Sequence, residues 1–112
     1  MRPRETRPGA KWCCDMKKGY WVVAWRSISD ESALQAYAAL AGPAIQSCGG
    51  RVLTGSASRV QAYEAGIEQR TILVEFDSYD RALAAYESDD YQKALKALGS
   101  TAERDLRIVE GI

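Results

Sequence analysis

The chain contains no histidine. That absence removes Ser-His and Cys-His nucleophile pairs, histidine-ligated metals and the usual general base near neutral pH. Any catalysis has to use carboxylates, tyrosine, arginine, lysine, cysteine or the backbone. Cysteine is scarce and poorly placed for bridging, with Cys13, Cys14 and Cys48 as the only thiols. An odd count with two adjacent members makes a poor disulfide framework. The lack of a signal-peptide pattern agrees with a reducing cytoplasm, the expected location. An excess of charge is missing too: 15 basic residues balance 15 acidic ones. Nothing in that balance draws the chain to nucleic acid or to an anionic membrane. No apolar run approaches the roughly 20 residues that span a bilayer. Phosphate-binding glycine loops, paired metal carboxylates and zinc spacings are absent, so no metal and no organic cofactor is expected.

What remains is ordinary globular material. The 112 residues suffice for one core and are too few for two. Residues 1–15 stand apart, with Pro3, Pro8, Gly9, four basic and two acidic side chains, and no apolar period. They read as a disordered or dispensable extension, with Met16 as the natural start of a domain over 16–112.

Tyr20 to Trp25 is aromatic and β-branched, which predicts a strand. Ser29 and Asp30 are candidate N-caps for a helix carrying Leu34, Tyr37, Ala38, Ala41 and Ile45 at helical spacing. Gly42-Pro43 predicts a kink or break inside it. Cys48-Gly49-Gly50 ends it, glycine supplying left-handed geometry. A second strand is expected from Arg51 to Gly55, resuming over Val60–Glu64 after a jog. Arg70 to Phe76 is the third strand. Ser78 caps a second helix, which Glu87-Ser88-Asp89-Asp90 interrupts and recaps before Gly99 ends it. Asp105 to Glu110 closes the chain as a fourth strand. The order is βαββαβ, an α+β, ferredoxin-like pattern: a four-stranded antiparallel sheet with two helices on one face.

Both faces of the strands are apolar. Trp21, Val23 and Trp25 point one way, and Tyr20, Val22 and Ala24 the other. Ile72, Val74 and Phe76 likewise oppose Thr71, Leu73 and Glu75. Helices cover one face, and a second copy of the chain is the simplest cover for the other. A homodimer is therefore expected.

Several stretches resemble the domain-of-unknown-function 1330 family: Gly19-Tyr20-Trp21, Tyr37 to Gly50 with Arg51 after it, Glu75 to Tyr79, Ala85 to Gln92, and Asp105 to Gly111. The Ala-Gly-Pro-Ala, Gly-Gly-Arg and Tyr-x-Ser-x-x-Tyr-Gln elements carry the likeness, over about residues 18–112. The resemblance implies a dimeric α/β barrel, two ferredoxin-like units with facing sheets. Its wider superfamily includes cofactor-free monooxygenases, small-molecule isomerases, haem enzymes and proteins of no known activity, so fold does not carry function.

Glu75 is the candidate acid or base, because a carboxylate on an otherwise apolar strand must be paired, hydrogen-bonded or protonated. The alternative is a structural ion pair to Arg26, Arg51 or Arg107. Arg51 is the candidate anion holder, with Arg26 in a similar position. Tyr37, Tyr86, Tyr91 and Trp21 would line a pocket between sheet and helices suited to a small aromatic or carboxylate ligand, or else serve only as core. Cys48, at a helix C-terminus, reads as structural. Two functions follow: a cofactor-independent enzyme on a small molecule, or a non-catalytic binding or protein-interaction module. A Glu75 free in a closed pocket favours the first, and a Glu75 locked to an arginine favours the second.

Overall fold

Alternation of large apolar side chains with smaller ones starts the chain as a strand. In the computed structural model, which describes residues 17–112, β1 runs Gly19–Ile28. The proposed extension 1–15, the start at Met16 and the Cys13-Cys14 pair lie outside the described residues. After β1 come α1 (Glu31–Ser47), β2 (Arg51–Val52), β3 (Thr71–Phe76), α2 (Tyr79–Glu87), α3 (Asp89–Leu98) and β4 (Ala102–Glu110). The four strands form one antiparallel sheet in the order β2-β3-β1-β4.

Caps set the helix boundaries. Asp30, not Ser29, caps α1: its carboxylate accepts from the backbone N–H groups of Ser32 and Ala33. Gly49 ends α1 at φ +84°, the left-handed turn expected there. Gly42-Pro43 does not break α1, which is continuous. Gly42 lacks the Cβ against which a following proline ring would press. Pro43 is exposed, so water reaches the carbonyl it leaves unpaired. The second helix divides at Ser88, whose hydroxyl accepts from Tyr91 N–H and donates to Ala85 C=O. Gln92 Nε2 donates to Tyr86 C=O across the same joint at 2.7 Å. The Tyr-x-Ser-x-x-Tyr-Gln element is thus the hinge that turns α2 into α3.

The second strand is shorter than the sequence predicts. Leu53 N–H still bonds Leu73 C=O, but Thr54 then replaces the backbone with its side chain. Its hydroxyl accepts from Leu73 N–H and donates to Thr71 C=O, both at 2.9 Å. The ladder stops there, and the expected strand over Val60–Glu64 is absent; residues 53–70 carry no regular structure. β4 begins at Ala102, earlier than expected, because its pairing with β1 extends to Ile28 past a bulge at Arg26.

The core lies between the helices and one sheet face. Trp21, Val23, Trp25, Val74 and Phe76 meet Tyr37, Ala41, Ile45, Ala82, Ala85, Tyr91, Ala94 and Leu98. α1 packs along α3, and of the helices α2 lies closest to β1. Where β1 starts, the chain passes too close to α2 for a side chain. A Cβ on Gly19 would sit 2.5 Å from Ser78 O and 2.7 Å from Tyr79 Cα, both backbone. Gly19→Ala should destabilise the fold by about 1–3 kcal/mol or more. Urea denaturation checks this, and an unchanged midpoint would refute the close approach.

Candidate functional site

Successive strand residues alternate between faces. That parity separates the sequence-predicted site into two. Arg51, Glu75 and Tyr20 form one cross-strand row on the face away from the helices, since Arg51 pairs with Glu75 and Glu75 with Tyr20 in register. Arg51 Nη2 and Nε donate to Glu75 Oε1 at 2.6 and 3.1 Å, and Tyr20 O–H donates to Oε2 at 3.0 Å. Arg51 also reaches Asp77 at 3.6 Å. The Arg51 guanidinium, then the Tyr20 hydroxyl, hold the Glu75 carboxyl below its ordinary pKa. Hydrogen bonding to Glu75 pushes the Tyr20 phenol up.

Arg26 lies on this open face as well, donating to Asp105 at 3.1 Å and to Gln69 at 3.4 Å. Arg107 donates to both Asp105 oxygens, each at 3.2 Å. A cleft of about 280 Å³ lies here, lined by Val22, Ala24, Arg26, Ile67, Asp105 and Arg107. Glu75, Arg51 and Arg26 therefore do not share a pocket with the tyrosines. The alternation that makes both faces apolar also puts the charged candidates behind the sheet.

Trp21, Tyr37 and Tyr91 lie on the helix side, where two clefts adjoin. The inner one, about 190 Å³, lies between α1 and the sheet, and Trp21, Val23, Trp25, Tyr37, Gly42 and Arg104 are among its walls. The outer one, about 350 Å³, opens past Leu34, Gln35, Ser56, Arg70 and Glu31. Trp25, Tyr37, Ala38 and Ile72 line both. A Cβ built on Gly42 would meet nothing within 4 Å. Tyr86 and Tyr91 depart from expectation: neither lines these clefts, and Tyr86 packs on Trp21 and Tyr91 with centroids 6.1 and 5.4 Å away.

Arg104 was not anticipated. It pairs with Trp25 in register, so it lies on the inner face among Ala102, Leu106 and Ile108. Its guanidinium stacks on Trp25 and Tyr37, 4.9 and 5.2 Å from their centroids. Nη1 donates to the Tyr37 and Tyr91 hydroxyls at 3.1 and 3.3 Å, and those hydroxyls bond each other at 2.7 Å. Burial, and then the neighbouring Tyr37, push the Tyr91 phenol well above its usual pKa, so it stays neutral. Burial works against the Arg104 charge, but the two phenols outweigh it and its pKa stays raised. The signal was present in the sequence: an arginine at an inner-parity position of an alternating strand, the counterpart of Glu75.

Among the described residues, no group of three or more Cys, Asp or Glu side chains is placed to hold a metal, and no helix is long and apolar enough to cross a membrane. The model of the family described as Domain of unknown function (DUF1330) matches residues 18–112. The chain belongs to that family. Its fold recurs in RPA0582 of Rhodopseudomonas palustris, in methylated form, at 15% identity, TM-score 0.65, over 87% of this chain and 82% of that one. A dimeric ferredoxin-like protein of unknown function from Thermobifida fusca matches at 14% identity, TM-score 0.54, over 86% and 92%. An ethyl tert-butyl ether D (EthD) family protein from Bacillus halodurans matches at 14% identity, TM-score 0.52, over 87% and 100%. At these identities the likeness is one of fold, and the DUF1330 domain is ferredoxin-like. No curated protein is significantly similar in sequence.

The row on the open face has a pH signature. The folded Glu75 pKa lies below its unfolded value of about 4.3. Its pairing therefore contributes stability that is fully present above about pH 5 and is lost as pH falls through the folded value. Glu75→Gln should be less stable than wild type at pH 7, and the gap should be smaller at pH 3. Denaturant melts at both pH values measure this, and a gap unchanged at pH 3 would exclude the carboxylate charge as its source.

Proposed function

We propose that this DUF1330 domain binds a small, largely apolar, planar molecule in the cleft between α1 and the inner face of its sheet. The observation that carries this reading is the cleft itself, floored by Trp21, Trp25 and Ile72 and left open at Ala38, Ala41 and Gly42. Concave, mostly apolar pockets with a few convergent polar groups are the usual form of small-molecule sites. Binding is favoured over acid–base catalysis at Glu75, because Arg51 and Tyr20 already occupy that carboxylate on the far side of the sheet. A catalytic role for Glu75 with Arg51 would require that pairing to open first.

A thermal-shift panel of small carboxylates, phenols, quinones, flavins and haem tests the pocket. A ligand at 100 times its Kd adds about 2.7 kcal/mol, enough to move the midpoint by several degrees. Ala38→Phe fills the neck shared by the two clefts on an exposed helix position, at a propensity cost of about 0.5 kcal/mol. The shift should vanish in that variant while the fold persists. A shift that survives would place the ligand elsewhere.

The open sheet face is proposed as a homodimer surface. Val22, Ala24 and Leu73 are only half-covered there, and Leu53, Ile67 and Val109 are exposed. The similar Thermobifida protein is itself described as dimeric. Sedimentation at micromolar concentration should give twice the chain mass, and Leu73→Asp should halve it. A wild-type monomer would refute the dimer.

A further inference from the structure

The polar end of the inner cleft is one-sided. Arg104 and the two phenols bring donors together and almost no acceptor. Only Nη1 of Arg104 is engaged by the protein among the described residues; Nε and Nη2 donate to none of them. Nor does Arg104 pair with any carboxylate among the described residues, in contrast to Arg26, Arg51 and Arg107. The phenols add to the imbalance. Tyr37 and Tyr91 share a single O–H···O bond, so one of their two protons has no acceptor among the described residues. Tyr37 lines the cleft and Tyr91 does not. The arrangement that leaves no proton stranded in the core has Tyr91 donating to Tyr37, which frees the Tyr37 O–H for the cleft. Tyr37 is 8% exposed, so bulk water is a poor partner for it.

Arg104 is half-buried, and a cation partly withdrawn from water without a counter-charge is costly, as is a buried donor without an acceptor. One bound species would remove both costs: an anionic oxygen at the mouth of the Arg104 fork and beside Tyr37. The ring that stacks with Arg104, Trp25, continues as the cleft wall. An apolar, flat body attached to that oxygen would lie against it. We propose that the ligand of this cleft is a small planar monoanion, such as an aryl carboxylate, phenolate or enolate, whose charged oxygen is read by Arg104 and the Tyr37 hydroxyl. The inference rests on the pocket proposed above and specifies its chemistry. The guanidinium is a delocalised cation whose unused Nη2 can donate to that oxygen, a geometry that lysine does not reproduce.

The test compares benzoate and 2-naphthoate with benzamide and 2-naphthamide, neutral molecules of nearly the same shape. Calorimetric titration of the wild-type protein should give each acid at least tenfold tighter binding than its amide. Arg104→Met retains much of the apolar volume and removes the charge. It should abolish the preference while amide binding changes little, with folding verified by circular dichroism. Arg104→Lys should keep a weakened preference. Because the acid–amide comparison needs only the wild type, a misfolded variant does not spare the proposal. Equal binding of acid and amide would overturn the anion assignment and leave the pocket standing. A preference that persists in Arg104→Met would overturn it too, moving charge recognition to Arg70 at the outer mouth. If neither acids nor amides bind, and the wider panel also fails, the pocket reading falls with it.

Discussion

Trp21 joins every layer of this fold. Its ring is 1% exposed and lies within 4.9–6.1 Å of Phe76 on the sheet, Tyr86 on α2 and Tyr91 on α3, centroid to centroid. Its indole N–H donates to Ala82 C=O at 2.9 Å. A buried indole brings a large apolar area and one donor that needs a partner. Here the partner is a helix carbonyl, so satisfying the donor fixes the distance of α2 from β1. Small residues make that distance short: Ala82 and Ala85 are the buried residues of α2. The Ser88 joint then redirects the chain, so α3 presents Tyr91, Ala94 and Leu98 to the same core.

With α2 drawn in, α1 takes its support from α3 and spans the rest of the sheet at a greater distance. Its sheet-facing side chains are mostly small, with Ala38, Ala41 and Gly42 opposite Trp25, Ile72 and Val74. Large residues on one wall and small ones on the other do not interdigitate completely, and the remainder is the inner cleft. Packing to native density would leave no such space. Gly42 is also what lets the helix continue into Pro43, so one residue serves both the continuity of α1 and the opening beneath it.

The two faces of the sheet carry two different electrostatic arrangements. On the open face, charges occur as neighbours: Arg51 with Glu75, Arg26 and Arg107 with Asp105. Such arrangements are satisfied within the chain, and exposed pairs of this kind add little to stability. At the inner cleft the balance is broken, with Arg104 beside two phenols and no carboxylate among the residues that line it. Self-satisfied charge suits a surface that meets another surface. An unmatched donor cluster beside a cleft suits a ligand that brings the missing acceptor.

The sequence by itself determined the element order, the cap at Ser78, the recapping interruption within Glu87–Asp90, and the two-sided apolar character of β1 and β3, and narrowed the α1 cap to Ser29 or Asp30. These follow from local rules of spacing, capping and alternation. It also marked Glu75 as a carboxylate that needed a partner, and named Arg51 among the possibilities. It overstated β2, because whether Thr54 bonds the neighbouring strand through its backbone or its side chain depends on how the two strands meet. The grouping of candidates was decided only in three dimensions. Glu75 and the tyrosines are both prominent in the sequence, yet the strand on which Glu75 sits turns it to the opposite face. Arg104 is unremarkable among the ten other arginines and lysines of the described residues until its register with Trp25 sets it against two phenols. Alternation says that a residue faces inward or outward. Only the packing of α1 against α3, and the space it leaves over the sheet, says what an inward residue meets.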